Sequence, residues 1–543
     1  MLRRRQQWSP SPAAPLLLAL VALCVADNPI VPGAGMADPH IHIFDNKAYL
    51  YSTQDKSPHS TDFEMPGWNV WRSSDLVNWD HLTAISPQQT YIGKLPADAK
   101  NRTRARVVRT ADEFVRFAYS GALACFAADV IAVNGKYAFF FSNGDTNMGV
   151  MTASSPSLSD AVDAIGGPLV STKAVPTIPP GITVTDKTHG AYDPTLLLDD
   201  DGVAYVCFGL HRPADHGGQP SSYLLARLSD SLTELAETPR PVEFLPHPST
   251  GKVFSGADKS TLHKREGTYY LSAGTRYATS KSVYGPYTFR GDTVGKHPSQ
   301  SFGLTGQAHG RFFEWRGQWF HVYCLFVDNN AAEKVSTRKS FFRESWITYV
   351  HYGRDGEMVD DWSFLALHGA TGVGRYDASW PKIEAEWYMG ATACEKVQAD
   401  AHHAGVLPPS SFAVRFLGAT STLLFSNVEN LPRSATLTLA MRGIASGGTI
   451  FVHSTRDPDG NPNPNPNPNP NPDPDPNPDP NPDPNPNPDP TPNPNPTLPN
   501  PNPNPIPLPL TLTLTLTRTP TLPRPRAGDV QPARGGQHRR VPV

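Results

Sequence analysis

Five polar side chains recur at a matched place along this chain: Asp38, Asp129, Asp193, Asp258 and His309. Each stands near the head of a strand-like run, at nearly the same offset before the turn that follows. Carboxylates gathered in a partly desolvated pit repel one another and separate their pKa values, so that one keeps a proton while another stays ionised. Acid/base cleavage of a glycosidic bond needs that division of labour.

Taken singly, each residue has a structural reading as well. Asp38 and Asp193 precede proline, in Ala37-Asp38-Pro39-His40 and Ala191-Tyr192-Asp193-Pro194, where Asp-Pro serves as turn chemistry at a strand entry. Their occurrence at matched places in two copies of one pattern favours a shared task. Asp129 precedes the apolar run Val130-Ile131, and capping accounts for it without catalysis. His309, in Gly306-Gln307-Ala308-His309-Gly310, is either an interior histidine or a contact for a ligand or ion.

The elements that must position these groups repeat five times. A polar turn is followed by a strand dense in aromatic and β-branched residues: residues 47–52, 136–142, 203–209, 268–274 and 318–324. The turns are Asp45-Asn46, Asn134-Gly135, Asp199 to Gly202, Arg265 to Gly267 and Arg316-Gly317, types that hairpins demand. A third strand follows each hairpin. Antiparallel units in series predict an all-β, five-bladed β-propeller over residues 28–370, because radial repetition leaves only short strand edges. If the first strand of every blade lines the axis, the five polar residues converge on one funnel.

Composition narrows the setting. Of 543 residues, 58 are proline, and most crowd into the segment after Asp457, which confines the foldable part to about the first 455. A net charge of −3 with both signs well mixed gives no electrostatic case for nucleic acid or an anionic membrane; a neutral polar partner fits better. Residues 1–26 read as an export signal, Arg3-Arg4-Arg5 followed by the apolar run Leu16 to Ala26, too short to span a bilayer. The expected destination is secreted, extracellular or cell wall. Cys125, Cys207, Cys324 and Cys394 are scattered and lack metal-type spacing. Asn101-Arg102-Thr103 is a glycosylation sequon.

Together these motifs resemble glycoside hydrolase family 43, the five-bladed arabinofuranosidase, xylosidase and arabinanase group. The resemblance rests on Asn28-Pro29-Ile30 leading to Ala37-Asp38-Pro39-His40, on residues 73–79, on Ala127-Ala128-Asp129-Val130 and on Tyr192-Asp193-Pro194-Thr195. Residues 262–271, and His309 followed by residues 313–319, extend it. It implies an inverting hydrolase of arabinose- or xylose-containing polysaccharides or oligosaccharides, with Asp38 as general base and Asp193 tuning and orienting the acid. It further implies His309 as a central residue associated with a bound ion, either calcium or sodium, and no required cofactor. Phe126 corresponds to a pocket-lining aromatic; Trp68 and Trp71 are further candidates for stacking on sugar faces.

Two departures stand out. The family's general acid is usually Glu, six residues before the position of Lys264; here that residue is Asp258, whose carboxyl sits about 1 Å further back. Lys259 beside it would hold Asp258 ionised, which favours binding over proton donation. An alternative reading is therefore a catalytically inactive carbohydrate-binding propeller. A fructan-cleaving five-bladed relative is a third, although its usual Asn-Asp-Pro motif is Ala-Asp-Pro here. The second departure is an Arg-rich insert from Leu95 to Tyr119 that patterns as a helix or lid.

Residues 381–455 resemble the first part of a family 6 carbohydrate-binding module, a partial β-sandwich. Residues 456–543 form a low-complexity tail expected to be disordered, of Asn-Pro and Asp-Pro dipeptides and then Thr-Leu repeats. One reading of the tail is a stiff cell-wall spacer; a second follows from Asn-Pro and Thr-Leu being the two open readings of one repeated hexanucleotide, CCCTAA, which makes the tail translated repeat sequence, or a faulty gene model, that interrupts the sandwich.

Overall fold

The computed structural model of the chain describes residues 28–94, 125–169, 189–211, 222–293, 308–327, 341–399, 411–430, 448–455 and 510–518, apart from a few scattered positions. The export signal, the sequon at Asn101, the whole insert from Leu95 to Tyr119 and most of the tail lie outside the described residues.

Five sheets follow one another along the chain, each built on an antiparallel meander. The first holds β1 (Met36–Phe44), β2 (Lys47–Gln54), β3 (Gly67–Ser73) and β4 (Asp80–Ile85). The second holds β5 (Cys125–Val133), β6 (Lys136–Asn143), β7 (Asn147–Ala153) and β8 (Val162–Asp163), and the third β9 (His189–Leu198), β10 (Ala204–His211), β11 (Ser222–Arg227) and β12 (Arg240–Pro241). In the fourth, β13 (Phe244–Leu245) runs parallel to the outer strand of the meander β14 (Ser260–Arg265), β15 (Thr268–Ala273), β16 (Arg276–Ser280) and β17 (Tyr287–Asp292). The fifth is β18 (Gly310–Trp315), β19 (Gln318–Phe326), β20 (Arg343–Tyr352) and β21 (Met358–Asp360). These are the five blades that the repeat predicts.

The hairpin turns explain the register. Asp45-Asn46, Asn134-Gly135, Glu266-Gly267 and Arg316-Gly317 all carry paired positive φ angles, the conformation that joins two twisted strands through two residues. Apolar clusters then fill the gaps between successive sheets. Trp68, Val70, Phe139 and Phe141 lie between the first and second blades, and Phe140, Val150, Leu196 and Phe208 between the second and third. Tyr223, Leu262, Leu271 and Tyr287 lie between the third and fourth.

Closure of the ring joins residues far apart in sequence. The Asn28 side chain donates to Ile347 O at 3.0 Å and accepts from Ile347 N at 2.9 Å, stitching the N-terminal segment to β20. Beneath it, Arg343 on β20 pairs with Asp55 just after β2, both buried.

A C-terminal module rests on the fifth blade. Its strands are β22 (Tyr376–Asp377), β23 (Gly390–Thr392), β24 (Cys394–Gln398), β25 (Phe412–Phe416), β26 (Thr420–Glu429), β27 (Gly448–Thr455) and β28 (Leu510–Arg518). Gln318 Nε2 donates to Glu386 O and Tyr388 O, at 3.0 and 2.8 Å, and Trp387 joins the same core as Phe320, Tyr349 and Phe364. The tail was expected to lack structure throughout, but Leu510–Arg518 forms β28 between β26 and β27. Those nine residues contain no proline, and alternating Thr and Leu suits a strand's period of two.

Candidate active site

Asp38 and Asp193 owe their positions to the same local device. Both adopt positive φ, 48° and 54°, a left-handed conformation that aspartate tolerates better than most residues, and in both strands the ladder shifts register beside the Asp-Pro doublet. Proline has no N–H to give the ladder, so the strand bulges and re-aims the aspartate. Each freed backbone N–H is then caught by another blade. Asp38 N donates to Cys324 Sγ at 3.4 Å, and Asp193 N to Ser142 Oγ at 2.7 Å. Asp258 and His309 stand just ahead of β14 and β18, with His309 following Ala308 at φ 50°.

These residues meet. His309 Nδ1 lies 2.8 Å from Asp38 Oδ1, and its Nε2 lies 3.3 Å from Asp258 Oδ2. One imidazole therefore bridges the two carboxyls, with Asp38 on one ring nitrogen and Asp258 on the other. The neutral Asp193 side chain hydrogen-bonds to Asp258, so the two share a proton.

Their electrostatics differ. Burial would raise the Asp38 carboxyl, but Arg343 and His309 outweigh it and hold it down at about 2, so Asp38 is ionised. Burial, then Asp258 and Asp38, push Asp193 well above the usual carboxylate range, so it keeps its proton. Asp258 is walled by protein on one side, which raises it, yet His309 and the hydrogen bond from Asp193 bring it below its ordinary value. Its side chain is 55% exposed, the open face of the funnel. Burial lowers His309, but Asp258 and Asp38 prevail and raise it to about 10.

Beneath this group lies a second, largely buried one. Asp129 Oδ1 lies 2.7 Å from His40 Nδ1 and 2.6 Å from His42 Nε2, while Oδ2 accepts from Leu196 N at 2.7 Å and from Arg311 at 3.2 Å. Asp129 therefore ties β1, β5, β9 and β18 together, which agrees with a structural role.

An ion held by His309 does not fit. Both ring nitrogens are engaged by carboxylates, at 2.8 and 3.3 Å, which leaves neither open to a directly bound metal. His40, His42 and Asp129 have the right types for a metal ligand set. The Asp129 oxygens are, however, already engaged by His42, by the Arg311 cation and by the backbone N–H groups of Val130 and Leu196.

Of the aromatic candidates, Trp68 is corrected. It is 1% exposed, its indole donates to Phe126 O at 2.7 Å, and its ring packs on Phe139 and Phe141. The alternation of β3 turns it into the core between two blades, away from any sugar. Trp71 packs edge-on against His81 of β4, away from the carboxyls. Phe126 is half-buried near Phe63, whose ring lies 5.1 Å from the Arg343 guanidinium that holds Asp38.

Sequence reasoning missed Arg343. It donates to Asp38 Oδ1 at 3.0 Å and forks onto both oxygens of Asp55 at 2.9 and 3.0 Å. No motif surrounds it. Lys259 was noticed, but its side chain passes Asp258 by: the backbone N–H bonds Asp258 Oδ1 at 3.0 Å while Nζ donates to Pro194 O.

Residues 26–358 match the family model described as glycosyl hydrolases family 43. An arabinoxylan arabinofuranohydrolase of Paenibacillus polymyxa is 26% identical over 406 residues, which cover 68% of this chain and 57% of that protein. A xylosidase/arabinosidase of Bacteroides ovatus is 26% identical over 378 residues, 61% of this chain and 96% of that one. The chain thus spans just over half of the first relative and nearly all of the second. A solved structure of a glycoside hydrolase family 43 arabinoxylan arabinofuranohydrolase from Bacillus subtilis, in complex with cellotetraose, is 21% identical with a TM-score of 0.46, covering 79% of this chain and 85% of that one.

Proposed function

Because this chain belongs to glycosyl hydrolases family 43, we propose that it hydrolyses O-glycosidic bonds of arabinose- or xylose-containing polysaccharides or oligosaccharides with inversion at the anomeric carbon. The observation that supports the reading is the His309 bridge, which joins an ionised Asp38 to Asp258 through one imidazole, as a pair that works on opposite faces of a sugar requires. Asp38 takes a proton from that water as it attacks one face of the sugar. The Asp193–Asp258 pair, which holds one proton between two carboxyls, protonates the leaving oxygen on the other.

The names of the relatives support the sugar class: arabinoxylan arabinofuranohydrolase and xylosidase/arabinosidase. The half-buried Phe126 supports a stacking wall for a sugar face. Export supports a polymeric substrate outside the cell, and rests on Arg3-Arg4-Arg5 and the apolar run to Ala26.

Proton NMR of the first-formed product from an aryl arabinofuranoside or xyloside tests the mechanism. Inverted configuration is expected; a retained anomer overturns it. One observation favours the second reading, a silent sugar-binding propeller: Asp258 is solvent-open and held ionised by His309. Sugar binding by a wild-type protein that cleaves neither aryl glycosides nor arabinoxylan would select that reading.

A further inference from the structure

Lys259 is 1% exposed, in a ring whose funnel is lined by carboxylates. A bare ammonium in such a place is costly unless charge and hydrogen bonds compensate it. Its Nζ donates to the carbonyl of Pro194, the residue after Asp193 and two before Leu196, whose N–H is held by Asp129. The ammonium of the fourth blade therefore lies under the third blade, between the bulge that aims Asp193 and the hub that ties the inner strands. Neighbouring inner strands bring titratable and charged groups around it: Asp38, and His40 and His42 whose burial favours neutral rings, from β1, Asp129 from β5, Asp193 from β9 and Arg311 from β18. His309 and Asp258 complete the group above.

The charges balance. With Asp193 neutral, the carboxylates Asp38, Asp129 and Asp258 face the cations His309, Arg311 and Lys259, while Arg343 and Asp55 compensate each other at the ring closure. Arg311 is committed to Asp129 and His309 to the two carboxyls above it. Burial lowers the Lys259 ammonium from its usual range, and the fields of Asp129, Asp193 and Asp38 oppose that and favour its charge.

We propose that Lys259 is a tethered counter-ion: its buried ammonium, fixed to the Pro194 carbonyl, holds the carboxylates of three other blades together and sets the charge state of the cleavage site. It is a positioning residue that touches no substrate, and the inference rests on the hydrolase reading only for its kinetic readout.

Three measurements test it. Lys259→Gln keeps a donor for Pro194 O and loses the charge. Without that charge every nearby carboxylate is protonated more readily, so both limbs of the pH–rate profile for an aryl arabinofuranoside should move up by about one unit or more. Lys259→Ala leaves a space of ammonium size, and added ethylammonium should bind there by calorimetry and return the limbs toward the wild-type pH. Sodium chloride at equal ionic strength should do neither.

An unchanged pH profile in Lys259→Gln, or no ethylammonium uptake by Lys259→Ala, overturns the proposal. If both variants fail to fold, refolding by ethylammonium supports it and failure to refold sinks it. Should the wild type cleave no glycoside, the hydrolase reading fails on its own, and uptake of ethylammonium still decides the role of Lys259.

Discussion

The Nδ1 atom of His309 stands 2.8 Å from Oδ1 of Asp38, joining the fifth blade to the first through one charge-assisted hydrogen bond. The ring is 8% exposed, so the pair is poorly screened by water. Its pKa of about 10 in the folded protein exceeds the ordinary 6.5, and this difference makes the fold pH-dependent.

The sign follows from which state holds the proton more tightly. His309 is protonated more readily in the folded chain, so its contribution to stability is fully present below about pH 6.5. That contribution declines as pH rises toward 10. Urea denaturation at pH 7 and pH 10 should show a loss on the order of a few kcal/mol, and His309→Gln should remove most of that difference. Asp38 behaves in the opposite sense. Held at about 2, it contributes above its ordinary 3.8 and loses that contribution as pH falls toward 2. A variant His309→Gln with an unaltered alkaline slope would contradict the bridge.

Asp258 predicts a dependence on the leaving group. An acid matters most when the departing oxygen is a poor leaving group, as in a polysaccharide, and least for a nitrophenolate. Asp258→Asn should therefore slow arabinoxylan cleavage by about 10²–10⁴-fold while a nitrophenyl glycoside loses far less. Asp38→Asn should suppress both by about 10²–10⁴-fold, because activation of water is needed whatever leaves. Equal losses on both substrates in Asp258→Asn would deny it the role of donor.

The carboxylates were legible in the sequence because the repeat gave them matched addresses. Asp-Pro in β1 and Asp-Pro in β9 sit in one bulge, and that shared geometry survives as a shared dipeptide. Blade number was legible for the same reason, through four two-residue turns and aromatic second strands. Arg343 was not, because its partners Asp38 and Asp55 lie 305 and 288 positions away and only closure of the ring brings them near. Nor was the inward turn of Trp68: near the strand end its spacing fits a rim or a core equally well, and the packing of Phe139 and Phe141 decides.

Trp68 and Phe126 should separate stability from binding. Trp68→Ala removes a buried ring and the donor to Phe126 O, which should cost about 3–5 kcal/mol in denaturation. Phe126→Ala takes away a half-buried ring beside Phe63 and should raise KM for an arabinoxylan oligosaccharide several-fold with a much smaller loss of stability. The reverse pattern would return Trp68 to the sugar site.

Arg343 serves two carboxylates at once, and the two services can be divided. It forks onto Asp55, which burial pushes upward despite the guanidinium, and extends one nitrogen to Asp38. Arg343→Met strands both carboxyls in a dry site and should destabilise the fold by about 3–5 kcal/mol, the usual result of removing one partner from a buried ion pair. Adding Asp55→Leu removes one stranded charge and should recover much of that stability, since apolar packing replaces buried pairs well. Activity should not return with it. Asp38 then has His309 but lacks the Arg343 cation, so the acid limb of the pH–rate profile should stay displaced to higher pH in both the single and the double variant. Denaturation midpoints and pH–rate profiles for the two proteins provide the comparison. Recovery of stability and of the wild-type acid limb together would mean that Arg343 only closes the ring.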